Sequence, residues 1–252
     1  MIQPACEESD MADIWRDLKM ISLEGVAVKD FLQGYITSDA VTIQAEIEQP
    51  FAICNLRGRV LSNGWALGDD HCIKLYVHAS LAQRTAEFLS RYAMFSKCDI
   101  AIADEAPRLY LRAPEERTLL PGWSLCDAGY AGAIEEPTAT SLSINPYDML
   151  IERKHALISK PSSERFLPQA LGLDLVGAVD FKKGCYLGQE IVARTHFRGA
   201  LKRKLALFKW QGEPPVIGEN WKSTAGQEGE VVMVSESSAT GGNGLWVTQI
   251  AS

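Results

Sequence analysis

The sequence predicts an α+β fold with a small all-β module at its C-terminal end. Three observations carry this. Residues 51–103 read as strand, strand, strand, helix, strand, with one clear amphipathic stripe among short apolar runs. After residue 200 no helical stripe recurs, and the strand-like runs LALFKW, EVVMV and GLWVTQI are separated by GEPP, STAGQEG and TGGNG. Composition is that of an ordinary globular chain, 46% apolar and 23% charged over 252 residues. That length supports a sizeable core and excludes disordered, collagen-like and coiled-coil classes.

Taken in order, residues 18–24 (LKMISLE) alternate as a strand and Gly25 ends it. VAVKDFLQG then has helical spacing, with Val28, Phe31 and Leu32 on one face. Runs at 51–56 and 60–67 flank Arg57-Gly58, which predicts a hairpin. A strand at 72–77 precedes the clearest helix, with Ser80 as expected cap and Leu81, Ala82, Thr85, Phe88, Leu89 and Tyr92 as its apolar stripe. A further strand is expected near 98–103. Pro107, Pro114, Pro121 and Pro137 break residues 104–144 into short strands; Pro146 to Ile158 reads as a helix and 161–168 as loop.

The net charge is −7, so nucleic acid is not a whole-surface partner and any anion site must be local. The first fifteen residues carry Glu7, Glu8, Asp10 and Asp13 ahead of the first cation, Arg16. That is the reverse of a secretory leader, and no run approaches the ~20 apolar residues of a membrane span. A soluble cytoplasmic protein is expected. Its six cysteines form no Cys-x-x-Cys pair, and they read as thiols rather than a disulfide framework. His71, Cys72 and His78 fit no common zinc spacing, and no tightly bound metal is expected.

One segment stands apart. From Phe181 to Lys204 the chain carries Lys182, Lys183, Arg194, Arg198, Lys202, Arg203 and Lys204 against Glu190 alone, a local charge of +6 on a remainder of −13. Such a stretch is an anion site or a solvated loop and strand end. Within it Cys185 lies between Gly184 and Gly188, after two lysines and ahead of a helix-like run, GQEIVAR. Positive charge and a helix start lower a thiol pKa from ~8.5 toward ~3.5–7.5. One charge at ~4 Å supplies ~1 to ~4 kcal/mol, of the order needed for a two-unit drop. The plain alternative is a cysteine filling a turn with its lysines in water.

Lys183 to Glu190, read as Lys-Gly-Cys-Tyr-x-Gly-Gln-Glu, resembles the signature of the YgfZ family of folate-binding proteins, relatives of the glycine-cleavage T-protein (aminomethyltransferase). FLQGYITSDAV, RYAMFSKCDI, RFLPQALGLD, VDFKKGCYLGQEIVARTHFRGALKRK and GENW resemble further family stretches in the same order, from about residue 18 to the end. The resemblance implies a three-domain ring: two ferredoxin-like α+β domains and a small C-terminal β-barrel. It places a discontinuous folate-binding domain at 1–50 and 104–200, a second α+β domain at 51–103 and the barrel at 201–252. It implies tetrahydrofolate or a related reduced folate in a central channel. The implied role is accessory, supporting assembly or repair of iron–sulfur clusters in client enzymes, including ones that modify tRNA. Cys185 carries over as the functional thiol and Lys183 as its neighbour. Trp15, Tyr147, Glu152, Gln189, Arg194 and Arg198 are the expected folate contacts, with the arginines suited to carboxylates or to bridging the loop through Glu190.

The chain departs from the pattern in two places. Leu150 to Leu157 (LIERKHAL) lacks the family's Gly and Pro after an aromatic. Ser62 and Asn63 stand where T-proteins carry an acid, and neither supplies a carboxylate base. That weakens the alternative, a tetrahydrofolate-dependent aminomethyl transferase. Direct nucleic-acid binding by residues 182–204 is not expected, because the remainder is acidic and no surface aromatics interleave the cations; no membrane partner is expected either.

Overall fold

The computed structural model describes residues 15–45, 47–111, 123–126, 145–235 and 241–250. The expected breaks at Pro114, Pro121 and Pro137 lie outside them. The first strand, β1 (Leu18–Glu24), and the short helix α1 (Val28–Gln33) fall where the periodicity puts them, with Val28, Phe31 and Leu32 buried. Next come β2 (Gln49–Cys54), β3 (Val60–Gly68), β4 (Cys72–His78), helix α2 (Ala79–Ala93) and β5 (Asp99–Ile102). The cap of α2 is His78, whose Nδ1 accepts from the Ser80 amide at 3.1 Å. Ser80 instead lends its hydroxyl to the Lys160 amide across the domain.

These strands make one antiparallel sheet in the order β2-β3-β4-β1-β5. β1 pairs with β4 from Leu18↔His78 to Glu24↔Cys72 and with β5 on its other edge. Residues 18–24 therefore share a sheet with 49–102, and the expected division at residue 50/51 cuts through hydrogen-bonded structure. Period-two alternation splits each strand between two cores. Phe51, Ile53, Leu75 and Val77 face α1 and α2. Ala52, Cys54, Trp65 and Tyr76 face the opposite way, against Leu150, Leu157, Phe166, Leu171 and Val192 and against Met233, Leu245 and Val247 of the C-terminal module. Burial on both faces explains why 51–54 and 60–67 read as continuous apolar runs.

Two strands, β6 (Arg108–Leu111) and β7 (Trp123–Cys126), pair antiparallel. Helix α3 (Pro146–Glu152) starts at Asn145, whose side chain accepts from the Tyr147 amide. It ends six residues earlier than its pattern suggests. Lys154 turns to φ 55°, and Asn63 takes the main chain of 156–158: its Nδ2 donates to Ala156 O at 2.6 Å and its Oδ1 accepts from Ile158 N at 3.0 Å. Helix α4 (Gln189–Arg198) follows the Cys185 loop. The C-terminal module comprises β8 (Arg203–Gln211), β9 (Asn220–Lys222), β10 (Glu228–Val234) and β11 (Gly241–Gln249). Its order is β8-β11-β10-β9, which leaves β8 and β9 at the edges of a four-stranded antiparallel sheet among the described residues. In that set no helix is long and apolar enough to cross a membrane.

Candidate functional site

The Cys185 loop is held at three places. Lys183 is half-buried, and its ammonium donates to the carbonyls of Gln33 (2.9 Å), Ile36 (2.8 Å) and Ser38 (2.8 Å). An ammonium has three protons and no acceptor, so this tripod satisfies it while supplying donors to carbonyls at and beyond the end of α1. Burial pulls the Lys183 pKa down to about 8, against the opposing pull of Asp39 and Asp180. The ammonium also lies 5.3 Å from the Tyr186 ring centre. Leu187 then donates its amide to Gly34 O at 3.0 Å. Gly188, at φ 83°, starts α4 so close to the β2–β3 turn that a Cβ there would lie 2.4 Å from Asn55 O and 3.1 Å from Gly58 Cα. Only glycine combines that dihedral with that approach.

Cys185 sits on this anchored loop as the exposed member of the described cysteines. Cys54 lies beneath, its thiol pushed up to about 12 by burial, and Cys98 is buried. Gln189 belongs to the same loop through its amide on Tyr186 O. The three protons of Lys183 go to main-chain carbonyls, so Lys183 positions the loop.

A second group gathers around Trp15, which is buried. Its ring meets Tyr147 edge-on at 5.8 Å and lies 6.0 Å from Trp65, which in turn stacks on His155 at 5.1 Å. The Tyr147 hydroxyl donates to Asp17 Oδ2 at 3.1 Å, and burial, then Asp17, raises its pKa. His155 is 4% exposed, and burial drives its pKa down to about 4, with Arg153 adding to the effect. Its Nε2 is buried without a hydrogen-bond partner. Trp15 and Tyr147 are thus brought together, while Glu152 is exposed at the end of α3. Asp17, Trp65 and His155 were not singled out from the sequence; a tryptophan in an apolar run and a lone histidine carry no local signal. Ser62 and Asn63 are both buried, and Asn63 uses its amide on residues 156 and 158.

Arg194 and Arg198 lie elsewhere, on the exposed side of α4, where they line an open cleft of about 760 Å³. The cleft gathers Arg59, Arg165, Lys202 and Arg203 with them over a floor that includes Phe166 and Leu201. Arg59 and Arg165 come from distant loops, and only the fold reveals them as neighbours. Among the described residues no cluster of three or more His, Cys, Asp or Glu side chains is arranged to hold a metal ion.

No family model matches the chain. Curated relatives do. It is 27% identical over 255 residues to the tRNA-modifying protein YgfZ of Escherichia coli O45:K1 (strain S88 / ExPEC), covering 82% of this chain and 77% of that one. The protein of that name from Cronobacter sakazakii is 27% identical over 251 residues, covering 82% and 76%. Among solved structures, the glycine cleavage system aminomethyltransferase T from Bartonella henselae superposes with a TM-score of 0.68 at 16% identity, over 94% of this chain and 77% of that one. The chain is therefore a homologue of the proteins named tRNA-modifying protein YgfZ, built on the mixed α+β fold of aminomethyltransferase T.

Proposed function

We propose that this protein binds a reduced folate in the cytoplasm and, through the Cys185 thiol, supports iron–sulfur enzymes that modify tRNA. The observation that carries the reading is the presentation of Cys185. It is exposed, and its loop is tied to α1 by Lys183 and Leu187 and to the β2–β3 turn by Gly188. A thiol that only fills a turn needs no such anchorage. Thiolate sulfur suits iron and its clusters, and one cysteine serves as a transient or shared ligand to a cluster held by a client enzyme. The name of the relatives points to tRNA modification.

The Trp15, Trp65, Tyr147 and His155 group fits a folate. Aromatic faces suit a pterin, and the unpartnered His155 Nε2 is a buried polar position that a pterin's polar edge would satisfy. A folate supplies one-carbon chemistry when bound. This chain holds no carboxylate at 62–63 to assist it, and the Asn63 amide is committed to the 156–158 main chain. The accessory reading is therefore preferred to aminomethyl transfer.

Titration with tetrahydrofolate, followed by tryptophan fluorescence, tests the ligand. Saturable quenching is expected in the wild type and in Cys185→Ser, with weaker binding in Tyr147→Ala; no saturable change in the wild type would overturn the folate reading. In cells lacking the chromosomal copy, Cys185→Ser is expected not to restore the activity of iron–sulfur tRNA-modifying enzymes. Full restoration would remove the thiol from the function.

A further inference from the structure

We propose that the basic cleft between α4 and the start of β8 binds single-stranded RNA. Six cationic side chains, Arg59, Arg165, Arg194, Arg198, Lys202 and Arg203, line it, and no carboxylate does. Two of them are already engaged. Arg165 pairs with Glu230 at 2.7 Å and donates to Gly218 O, and Arg59 donates to Arg165 O at 2.9 Å. Arg203 also feels Glu230. Arg194, Arg198 and Lys202 have no carboxylate partner among the described residues. Arg194 and Arg198 stand one helical turn apart, ~6 Å along the axis. Three cations without a carboxylate partner among the described residues converge on a cleft of about 760 Å³ in a protein of net charge −7. That is a local anion trap rather than a consequence of overall charge.

What favours RNA over other polyanions is an aromatic surface on the same helix, outside the cleft's own lining, where Phe197 stands three residues after Arg194 and so next to it on the helix surface. Phe197, between the arginines in sequence, is 68% exposed. It meets His196 edge-on at 4.8 Å, and His196 lies flat on Phe181 at 3.7 Å and 16°. Contrary to the expectation that no surface aromatic interleaves these cations, Phe197 is exposed to water. An oligocarboxylate gains nothing from such a ring, whereas an unpaired base stacks on it. A positive groove flanked by a stacking face is how proteins hold unpaired strands.

Fluorescence anisotropy of a fluorescein-labelled oligouridine of about a dozen nucleotides, with the full chain, tests this. Three phosphate contacts predict a slope of log affinity against log salt of about −2, at ~0.7 per contact. Arg194→Ala with Arg198→Ala is expected to reduce the slope by about 1.4 and weaken binding at low salt at least about tenfold. Phe197→Ala is expected to weaken binding about tenfold with the slope unchanged. These residues are exposed, and circular dichroism confirms that the variants fold. No binding by the wild type at ~50 mM salt overturns the proposal. So does binding that is indifferent to Phe197→Ala and displaced equally well by triglutamate, which would mark a carboxylate site. The tetrahydrofolate titration on the same variants separates the two readings: folate binding can fail while RNA binding stands, and the reverse.

Discussion

Asn63 occupies a position where both ends of one amide decide the local structure. Its Nδ2 meets Ala156 O and its Oδ1 meets the Ile158 amide, in a side chain 1% exposed. Asn63→Asp would restore the acid of the transferases but replace a donor with a second acceptor facing a carbonyl. Leaving a buried group unsatisfied costs ~1–3 kcal/mol, and more when it is charged. The variant is expected to lose ~2–4 kcal/mol in urea denaturation near neutral pH. The loss should shrink on acidification, because a protonated carboxyl donates again; a pH-independent loss would contradict this account. His155 acts in the opposite sense. Burial holds its pKa at about 4, against 6.5 for a free imidazole. Between those values the unfolded chain takes up a proton that the folded chain refuses, so stability falls as pH falls through that window. The full loss is ~3 kcal/mol. His155→Phe keeps a ring on Trp65 and removes this contribution. Denaturation at about pH 7 and about pH 4.5 is expected to show a smaller acid loss in the variant.

Among the elements, the junction of α4 with the β2–β3 turn is the most sharply determined. Gly188→Ala meets both a left-handed dihedral and a backbone oxygen 2.4 Å from the new Cβ. A loss of ~2 kcal/mol or more is expected in thermal unfolding, with altered alkylation kinetics at Cys185. An unchanged melting temperature would show that the junction adapts freely. Lys183→Met keeps the apolar stem but strips donors from three carbonyls. It is expected to cost at least ~2 kcal/mol, and Lys183→Arg to rescue poorly, because a planar guanidinium cannot form a tripod. These elements also mark what the sequence could convey. β1, α1 and α2 were legible because periods of 2 and 3.6 residues are local properties. The insertion of β1 between β4 and β5 was not, because it is set by pairing across 48 residues and more. The end of α3 was misplaced since its limit is imposed by Asn63, ninety residues away in sequence. At the site, Cys185 announced itself through its glycines and lysines. The roles of Arg59, Arg165 and Phe197 depended on neighbours brought by the fold.

At the scale of the whole molecule, the core beneath Trp65 joins β1 and the central sheet to residues 150–192 and to the C-terminal module. Leu18, Cys54, Phe166 and Leu245 belong to one apolar cluster, and the Leu157 amide reaches the Met233 sulfur at 3.0 Å. No single layer is stable alone when its apolar face needs another to cover it. Equilibrium unfolding is expected to be one transition, with far-ultraviolet dichroism and tryptophan fluorescence coinciding, although the tryptophans span the central sheet and the C-terminal module. Two separated midpoints would show that β8 to β11 fold independently.

The shared core also has a consequence for synthesis on the ribosome. Leu18 emerges long before Leu245 and Val247, which help to cover the same apolar face. Until β10 and β11 have been made, the part of that face that Met233, Leu245 and Val247 cover stays open in the nascent chain. A trigger for premature aggregation is thus built into the order of synthesis, and the closing event is the arrival of β11.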